Sequence, residues 1–527
     1  MNLAHLAQSN IRLFGEYAFL TFNDRDYSNV EINRRANRLA HGLRALGVER
    51  GQSVVVMMPN CPQVIISYQA ILKIGAVIVP ALFLLGAREV KYILQNSEAT
   101  TMITSTRFLD KVRAAVADTN VRHIIIADGA ADGAHALDDL ISRGEDNFAM
   151  VETDSDDVAV MLYTAGTTGQ PKGVMLTHFN LYSNAKLAFE TAEFSADDLN
   201  RRAQDSVALL ALPLAHSYGL TVMNVGFLSG ARYVIMPAFD AEKAMALIQK
   251  YRVTDFAGVP TMYVQMLNHP NFAQFDLASV RAWGSGSAPL PVEIQKVFAQ
   301  KINQPVSEGY GLSEYAPVVS TNRRNRPLKK GSVGLPIFGA EVRIVDAEDR
   351  ELPRGEAGEL IVRGPSMMKG YYKMPEATAR ALRNGWLHTG DIARMDEDGY
   401  LYIVERKDDL IIRGGENIYP REVEEVLYRH SAIVEAAVIG VPDAVMGQAV
   451  HAYVVLKKDQ TATEEELIKY CAEQIAKFKT PKSVTFLQAL PKNIIGKILR
   501  KDLRAMYKIR RLLRPFGARN DKIIHAR

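Results

Sequence analysis

The sequence predicts an α/β protein with a large N-terminal domain of mostly parallel sheets flanked by helices, followed by a small α+β domain. Short continuous apolar runs at 54–58, 77–79, 123–127, 158–162, 207–212 and 233–236 read as buried strands. Segments with helical spacing alternate with them, and that alternation is the mark of a largely parallel core. Near Arg406-Lys407-Asp408-Asp409 the texture changes to a helix, a β-rich stretch, a second helix and a short strand.

Each element has a local cause. Ser28 and Glu31 form a capping box, and Ile32, Ala36, Leu39, Leu43 and Leu46 recur at helical spacing until Gly47. Residues 62–74 form the next helix, opened by Pro62, before the strand at 77–79. The apolar region 64–85 is the one candidate membrane span. Ser67, Gln69, Lys73 and Pro80 interrupt it and its composition turns from helix-like to strand-like, so it reads as a buried helix, turn and strand. Past the charged stretch come a helix from about Arg421, strands at 436–441 and 450–456, a helix opened by Thr463 and Glu466, and a strand near Val484. The expected organisation is a domain at 1–405, a hinge at 406–409, a domain at 410–505 and a basic tail at 506–527.

A 527-residue chain with 48% hydrophobic and 23% charged residues is globular rather than disordered. Cys61 and Cys471 lie far apart with no partners at ligand spacing, which speaks against a disulfide framework or a zinc site and for a reducing compartment. The first residues lack the basic and apolar regions of a signal peptide, so a cytoplasmic location is expected. Net charge is +4, but residues 501–527 hold nine Lys or Arg against Asp502 and Asp521, leaving −3 for the remainder. A nucleic-acid enzyme would carry its basic residues along the main body, so nucleic acid is not an expected partner.

Function is concentrated in Tyr163-Thr164-Ala165-Gly166-Thr167-Thr168-Gly169-Gln170-Pro171-Lys172-Gly173. Glycines let backbone N–H groups approach an anion, the threonine hydroxyls can donate to phosphate oxygens, and Lys172 adds positive charge. The nucleotide-triphosphatase loop does not fit, because Lys172 follows Pro171 and no Ser or Thr follows it. Further motifs follow in order: Leu212-Pro213-Leu214-Ala215-His216, Ser285-Gly286-Ser287-Ala288-Pro289, Gly309-Tyr310-Gly311-Leu312-Ser313-Glu314, Thr389-Gly390-Asp391, Glu405-Arg406-Lys407-Asp408, Gly414-Gly415-Glu416-Asn417-Ile418-Tyr419-Pro420, and the stretch from Pro491 to Lys497. Taken singly, His216 reads as a core histidine, Tyr310 as a core aromatic, Glu314 and Arg406 as solvated charges, and Asp391 or the Gly414-Gly415 pair as turn residues.

As an ordered set these motifs closely resemble the adenylate-forming superfamily, which includes acyl-CoA synthetases, firefly-type luciferases and adenylation domains of nonribosomal peptide synthetases. The resemblance runs from the first helix to Arg504 and implies a small C-terminal domain that is mobile. It implies ATP, magnesium and coenzyme A as cofactor or co-substrates. Carboxylate attack on the α-phosphate brings two anions together, which calls for magnesium, fixed cations and oriented donors. By resemblance, Thr164, Ala165, Gly166, Thr167, Thr168, Gly169 and Lys172 hold phosphates. Glu314, with Thr164, serves the metal, and Lys497 bridges the carboxylate and the α-phosphate. The adenine is enclosed by Ser287, Ala288 and Pro289 on one side and by Glu308, Gly309, Tyr310, Gly311, Leu312 and Ser313 on the other. Asp391 and Arg406 take the ribose, His216 shields the acyl site, and Gly414 and Gly415 leave room for the pantetheine arm. Ala165 stands where many members have Ser, and Ser313 where Thr is commoner.

The branch follows from what is missing. Residues 217–226 contain no acid to pair with an ammonium, and no carrier domain follows Lys497, so a peptide synthetase module is disfavoured. Acetate-type members close the acyl pocket with Trp, whereas Gly284, Gly286 and Gly311 suggest room for a larger acid. Leu220, Val222, Met223, Val225 and Phe227 read as tunnel lining or as ordinary core. A medium- or long-chain fatty acid is the first expectation and an aromatic acid the second, with a luciferase-like oxygenase as the reading from another class. The tail, with Leu503, Met506, Ile509, Leu512, Leu513 and Phe516 among its cations, reads first as a solvated helix and second as a peripheral contact with an anionic membrane. A homodimer is admitted by the sequence but not required.

Overall fold

A computed structural model describes residues 1–164, 170–192, 205–493 and 496–512. The chain divides into two compact units, Met1–Val404 and Glu405–Arg527, with the boundary inside the strand Leu401–Arg406.

The first unit is built on two large sheets. One runs, edge to edge, through Gly370–Tyr371, Lys172–Thr177, Val158–Thr164, Val77–Pro80, Ser53–Met57, Thr101–Thr104, His123–Ile126 and His135–Ala136. Pairing is parallel from Val158–Thr164 to the His135–Ala136 edge and antiparallel at the other end. The second sheet runs through Val306–Glu308, Ala282–Ser285, Asp255–Gly258, Val207–Leu210, Arg232–Ile235, Ala18–Phe22 and Arg25–Ser28, parallel except for its last pair. Two further sheets in this unit, of three and five strands, contain the antiparallel pairs Tyr310–Gly311 with Val318–Thr321 and Ala357–Arg363 with Trp386–Met395. The predicted α/β class therefore holds, with these antiparallel additions around the parallel strands.

Local expectations translate directly into elements. Ser28 caps the helix Asn29–Ala45 by accepting the Glu31 N–H, which is half of the expected capping box, because the Glu31 carboxylate pairs with Arg25 at 2.9 Å instead; Ile32, Ala36, Leu39 and Leu43 on its inner face are buried. The helix Pro62–Ile74 begins at its proline and ends at left-handed Gly75. Among the described residues no helix is long and apolar enough to cross a membrane. Lys73 is fully buried, its Nζ donating to Asn33 Oδ1 at 2.9 Å, and burial pushes its pKa down to about 8. The strand expected at 207–212 ends at Leu210. Just beyond it the chain is taken up by a side chain, with Asn60 donating to the Leu212 carbonyl and accepting the Leu214 N–H.

The second unit is an α+β body. Its sheet pairs Ile433–Asp443 with Gly447–Leu456 as a long antiparallel ladder, adds Ile411–Arg413 with Glu416–Ile418, and takes Ser483–Phe486 in parallel. The helices are Pro420–Tyr428, Glu464–Gln474, opened by the Thr463 and Glu466 capping box, and Arg500–Leu512. Val423, Leu427, Val438, Val454 and Leu467 form its core.

Candidate active site

In the first unit the phosphate-loop motif sits at a hairpin. The strand Val158–Thr164 returns as Lys172–Thr177, with Thr164 opposite Lys172 and Tyr163 opposite Gly173. Ala165, Gly166, Thr167, Thr168 and Gly169 lie outside the described residues. The hairpin base is fixed by side chains: Tyr92 donates to the Pro171 carbonyl at 2.9 Å and Tyr163 to Asn96 Oδ1 at 2.7 Å.

The next strand in the sheet adds a residue that sequence reading missed. Tyr371 pairs with Val174, places its ring 4.8 Å from Lys172 Nζ, and donates through its hydroxyl to Glu314 Oε1 at 2.9 Å. A cation–π contact and a hydrogen bond on one ring thus gather Lys172 and Glu314. Nothing in the run Gly370-Tyr371-Tyr372 distinguishes this tyrosine from its neighbour.

Tyr310 and Asp391 come from different sheets and meet directly. The Tyr310 hydroxyl donates to Asp391 Oδ2 at 2.6 Å, and Asp391 is 4% exposed. Asp391 is held from behind: its N–H donates to Thr389 Oγ1 at 3.1 Å, and that hydroxyl donates to the Leu360 carbonyl at 2.6 Å. Gly390, at φ +70°, makes the bend, its N–H donating to Glu359 at 3.2 Å.

Ser287, Ala288 and Pro289 follow the strand Ala282–Ser285, with Ser287 in the left-handed region at φ +68°. Sparsely populated backbone of this kind persists only where the surroundings hold it. Glu308 is part of that support. It is 4% exposed and its Oε2 accepts the Leu290 N–H at 2.9 Å, while Gly309 donates to the Ser285 carbonyl at 3.0 Å. Leu312 precedes the short turn Ser313–Tyr315, and Ser313 Oγ is 3.3 Å from Ser217 Oγ.

Of the glycines expected to open the acyl pocket, Gly284 has no neighbour nearer than 3.8 Å to an added Cβ, whereas Gly311 and Gly286 are closely approached. A Cβ on Gly311 would lie 2.3 Å from the Pro317 carbonyl oxygen, so close backbone approach requires glycine there. A Cβ on Gly286 would lie 3.1 Å from the Tyr218 ring, which takes that space. Burial raises the Tyr218 pKa to about 12, so the hydroxyl stays neutral. His216 caps the helix Ser217–Ser229, its Nδ1 accepting the Tyr218 N–H at 3.3 Å. On that helix Leu220, Met223 and Phe227 belong to the main core, while Val222 is only partly buried.

The second unit carries the remaining candidates. Gly414 and Gly415, at φ +60° and +90°, form the two-residue turn between Arg413 and Glu416, a geometry that favours glycine at both places. The Arg406 N–H donates to Glu405 Oε1 at 2.9 Å. Lys497 is exposed on a turn closed by Asn493, which donates its N–H to the Lys497 carbonyl and accepts the Lys497 N–H on Oδ1, both at 2.8 Å. Among the described residues no group of three or more His, Cys, Asp or Glu side chains is placed to hold a metal. Magnesium, by contrast, is commonly held by one or two carboxylates plus substrate phosphates, which Glu314 fits.

A mostly parallel α/β first unit, with a buried Tyr–Asp pair, followed by a small α+β unit is the architecture of adenylate-forming enzymes. The chain belongs to the AMP-binding enzyme family: the AMP-binding enzyme domain matches residues 8–372 and the AMP-binding enzyme C-terminal domain residues 422–497. Within the family it is an AMP-forming acid–thiol ligase of the acyl-CoA synthetase branch. It is 38% identical to a long-chain-fatty-acid–CoA ligase of Bacillus subtilis over 519 residues, covering 93% of this chain and 92% of that protein. It is 37% identical to a feruloyl-CoA synthase of an Amycolatopsis species, covering 91% and 93%. The crystal structure of ATP-bound MatB from Rhodopseudomonas palustris superposes with a TM-score of 0.88 at 33% identity, covering 96% of this chain and 99% of that one.

Proposed function

We propose that the chain activates a medium- or long-chain fatty acid with ATP to an acyl adenylate, then transfers the acyl group to coenzyme A, releasing AMP and pyrophosphate. The observation that carries the site assignment is the convergence of Lys172, Tyr371 and Glu314 at one sheet edge, together with the buried Tyr310–Asp391 pair. Lys172 and the residues before it would receive the β- and γ-phosphates, Glu314 and Thr164 would hold magnesium, Asp391 would accept hydrogen bonds from the ribose hydroxyls, and Arg406 would donate to the ribose. Magnesium would neutralise phosphate charge. Tyr371 would keep the Glu314 carboxylate oriented for it.

In this reading the linker at 406–409 pivots about Asp408. Lys497 serves adenylation in one orientation, and the Gly414-Gly415 turn admits the coenzyme A thiol in the other. The fatty-acid assignment is supported by the Bacillus relative. The aromatic alternative is favoured by the feruloyl-CoA synthase likeness and by the Tyr218 ring beside Gly286. An acid panel spanning octanoate to oleate, benzoate and ferulate, scored for AMP and acyl-CoA together, decides between them. Fatty acids outpacing the aromatic acids support the proposal, and the reverse order overturns it.

We place the enzyme in the cytoplasm, with the helix Arg500–Leu512 lying on anionic membrane. Its outward face shows Met506 and Ile509 beside Lys501 and Lys508, a pattern suited to an anionic lipid surface. Unchanged flotation with phosphatidylglycerol vesicles after removal of residues 508–527 overturns the membrane contact.

A further inference from the structure

The turn bearing Lys497 is pinned at both ends. On one side Lys492 pairs with Glu435 on the strand Ile433–Asp443. On the other, three residues past Lys497, Arg500 opens the helix Arg500–Leu512, and its guanidinium lies among carboxylates from separate segments. Its Nη2 donates to both oxygens of Glu424 at 2.7 and 2.9 Å. Its Nη1 reaches Glu405 Oε1 at 3.3 Å and Asp409 Oδ2 at 3.5 Å. One turn on, Arg504 pairs with Asp409 and its Nη2 stands 3.5 Å from the Asp408 carbonyl.

Helix formation does not account for Arg500, since a cation in the first turn opposes the helix dipole. Its charge is matched instead by Glu424, Glu405 and Asp409. Burial works against the guanidinium charge, but these carboxylates outweigh it and raise the pKa. Glu405 is itself buried and committed to backbone: Oε1 accepts the Arg406 N–H at 2.9 Å and Oε2 the Arg421 N–H at 3.2 Å. A planar guanidinium can join three acids in this way, whereas an ammonium lacks the fork.

We propose that Arg500 is a positioning residue, whose guanidinium fixes the Lys497 turn against the 405–409 linker and so sets the lysine for adenylation. The inference rests on the reading of Lys497 and Asp408 given under Proposed function. Glu405 and Asp409 flank Asp408 in sequence, so backbone rotation at Asp408 changes their separation and Arg500 cannot hold both. The Glu405 contact at 3.3 Å then yields, while Asp409, past the pivot on the same side as Arg500, and the bidentate Glu424 pair persist. Arg500 acts as a latch that the linker opens.

The test follows both half-reactions in single turnover. It uses the acid that wild type turns over fastest in the panel above, and the synthetic adenylate of that acid. Arg500→Met strands buried carboxylates and endangers folding, so Arg500→Lys and Glu405→Gln are measured beside it, each in the full chain with a wild-type melting transition. Arg500→Met is expected to slow adenylation by about 10²-fold through misplacement of the lysine, with KM for ATP and thioester formation from supplied adenylate unchanged. Arg500→Lys restores part of the rate, and Glu405→Gln shifts the ratio of the two steps in the same direction by less. Equal loss of both steps, or no loss, in the folded Arg500→Lys and Glu405→Gln variants overturns the inference. Lys497→Ala runs in parallel. Selective loss of adenylation there without selective loss in the Arg500 variants overturns the positioning role alone. Equal loss of both steps in Lys497→Ala overturns the reading of the lysine and the positioning role with it.

Discussion

Asp391 and Lys497 are built into the protein in opposite ways. Asp391 lies inside the ten-residue strand Trp386–Met395, its backbone tied through Thr389 and its carboxylate to Tyr310. Lys497 is exposed on a turn whose order comes from Asn493 and from ion pairs at its two ends. Buried hydrogen bonds suit the role proposed for Asp391, holding a nucleotide through both half-reactions. An exposed turn suits the role proposed for Lys497, needed in one step and withdrawn in the next.

The sharpest way to break this contrast is to remove each group and compare the losses. Lys497→Ala should slow adenylation by roughly 10²–10³-fold, the range for losing one electrostatic stabiliser of a transition state, while supplied acyl adenylate still reacts with coenzyme A. Rapid-quench assays of the separate steps read this directly, and parallel loss of both removes the contrast.

Acid should weaken the first unit through His178. This residue is fully buried, its Nδ1 accepts the Leu3 N–H at 3.0 Å, and burial lowers its pKa to about 4 although Asp157 opposes the shift. The unfolded chain takes up the proton near pH 6.5 and the folded one only near pH 4. The stabilisation is therefore complete above pH 6.5 and is lost as pH falls through that window, by up to about 3 kcal/mol. Melting curves from pH 7 to 4 should show a steeper decline in wild type than in His178→Gln. Equal slopes would remove the histidine from the account.

Asp391→Ala should weaken ATP and AMP binding by on the order of 1.5–3 kcal/mol for each charged hydrogen bond lost, and it removes the acceptor of the Tyr310 hydroxyl bond. Calorimetry showing unchanged ATP affinity would withdraw the ribose assignment. The smallest expected effect is Gly311→Ala, which forces a methyl against the Pro317 carbonyl and should cost about 1–3 kcal/mol. Thermal unfolding measures it. A neutral result would withdraw the close-approach account of Gly311.

Period and capping made much of the fold legible. The helix at 62–74, the Ser28 cap and the Thr463 capping box depend on neighbours within one turn, so the residues alone determined them. The ordered motifs likewise identified the family, because the chemistry of joining two anions demands glycine, hydroxyl, acid and lysine in separate loops. Tertiary structure alone decided which side chains meet. Tyr371 joins Lys172 and Glu314 across a sheet edge, Tyr218 takes the space beside Gly286, and Arg500 gathers Glu405, Asp409 and Glu424. These contacts span separations that carry no periodic signal. Short-range spacing encodes local hydrogen bonds and burial, whereas long-range pairing is set by how whole sheets and helices pack.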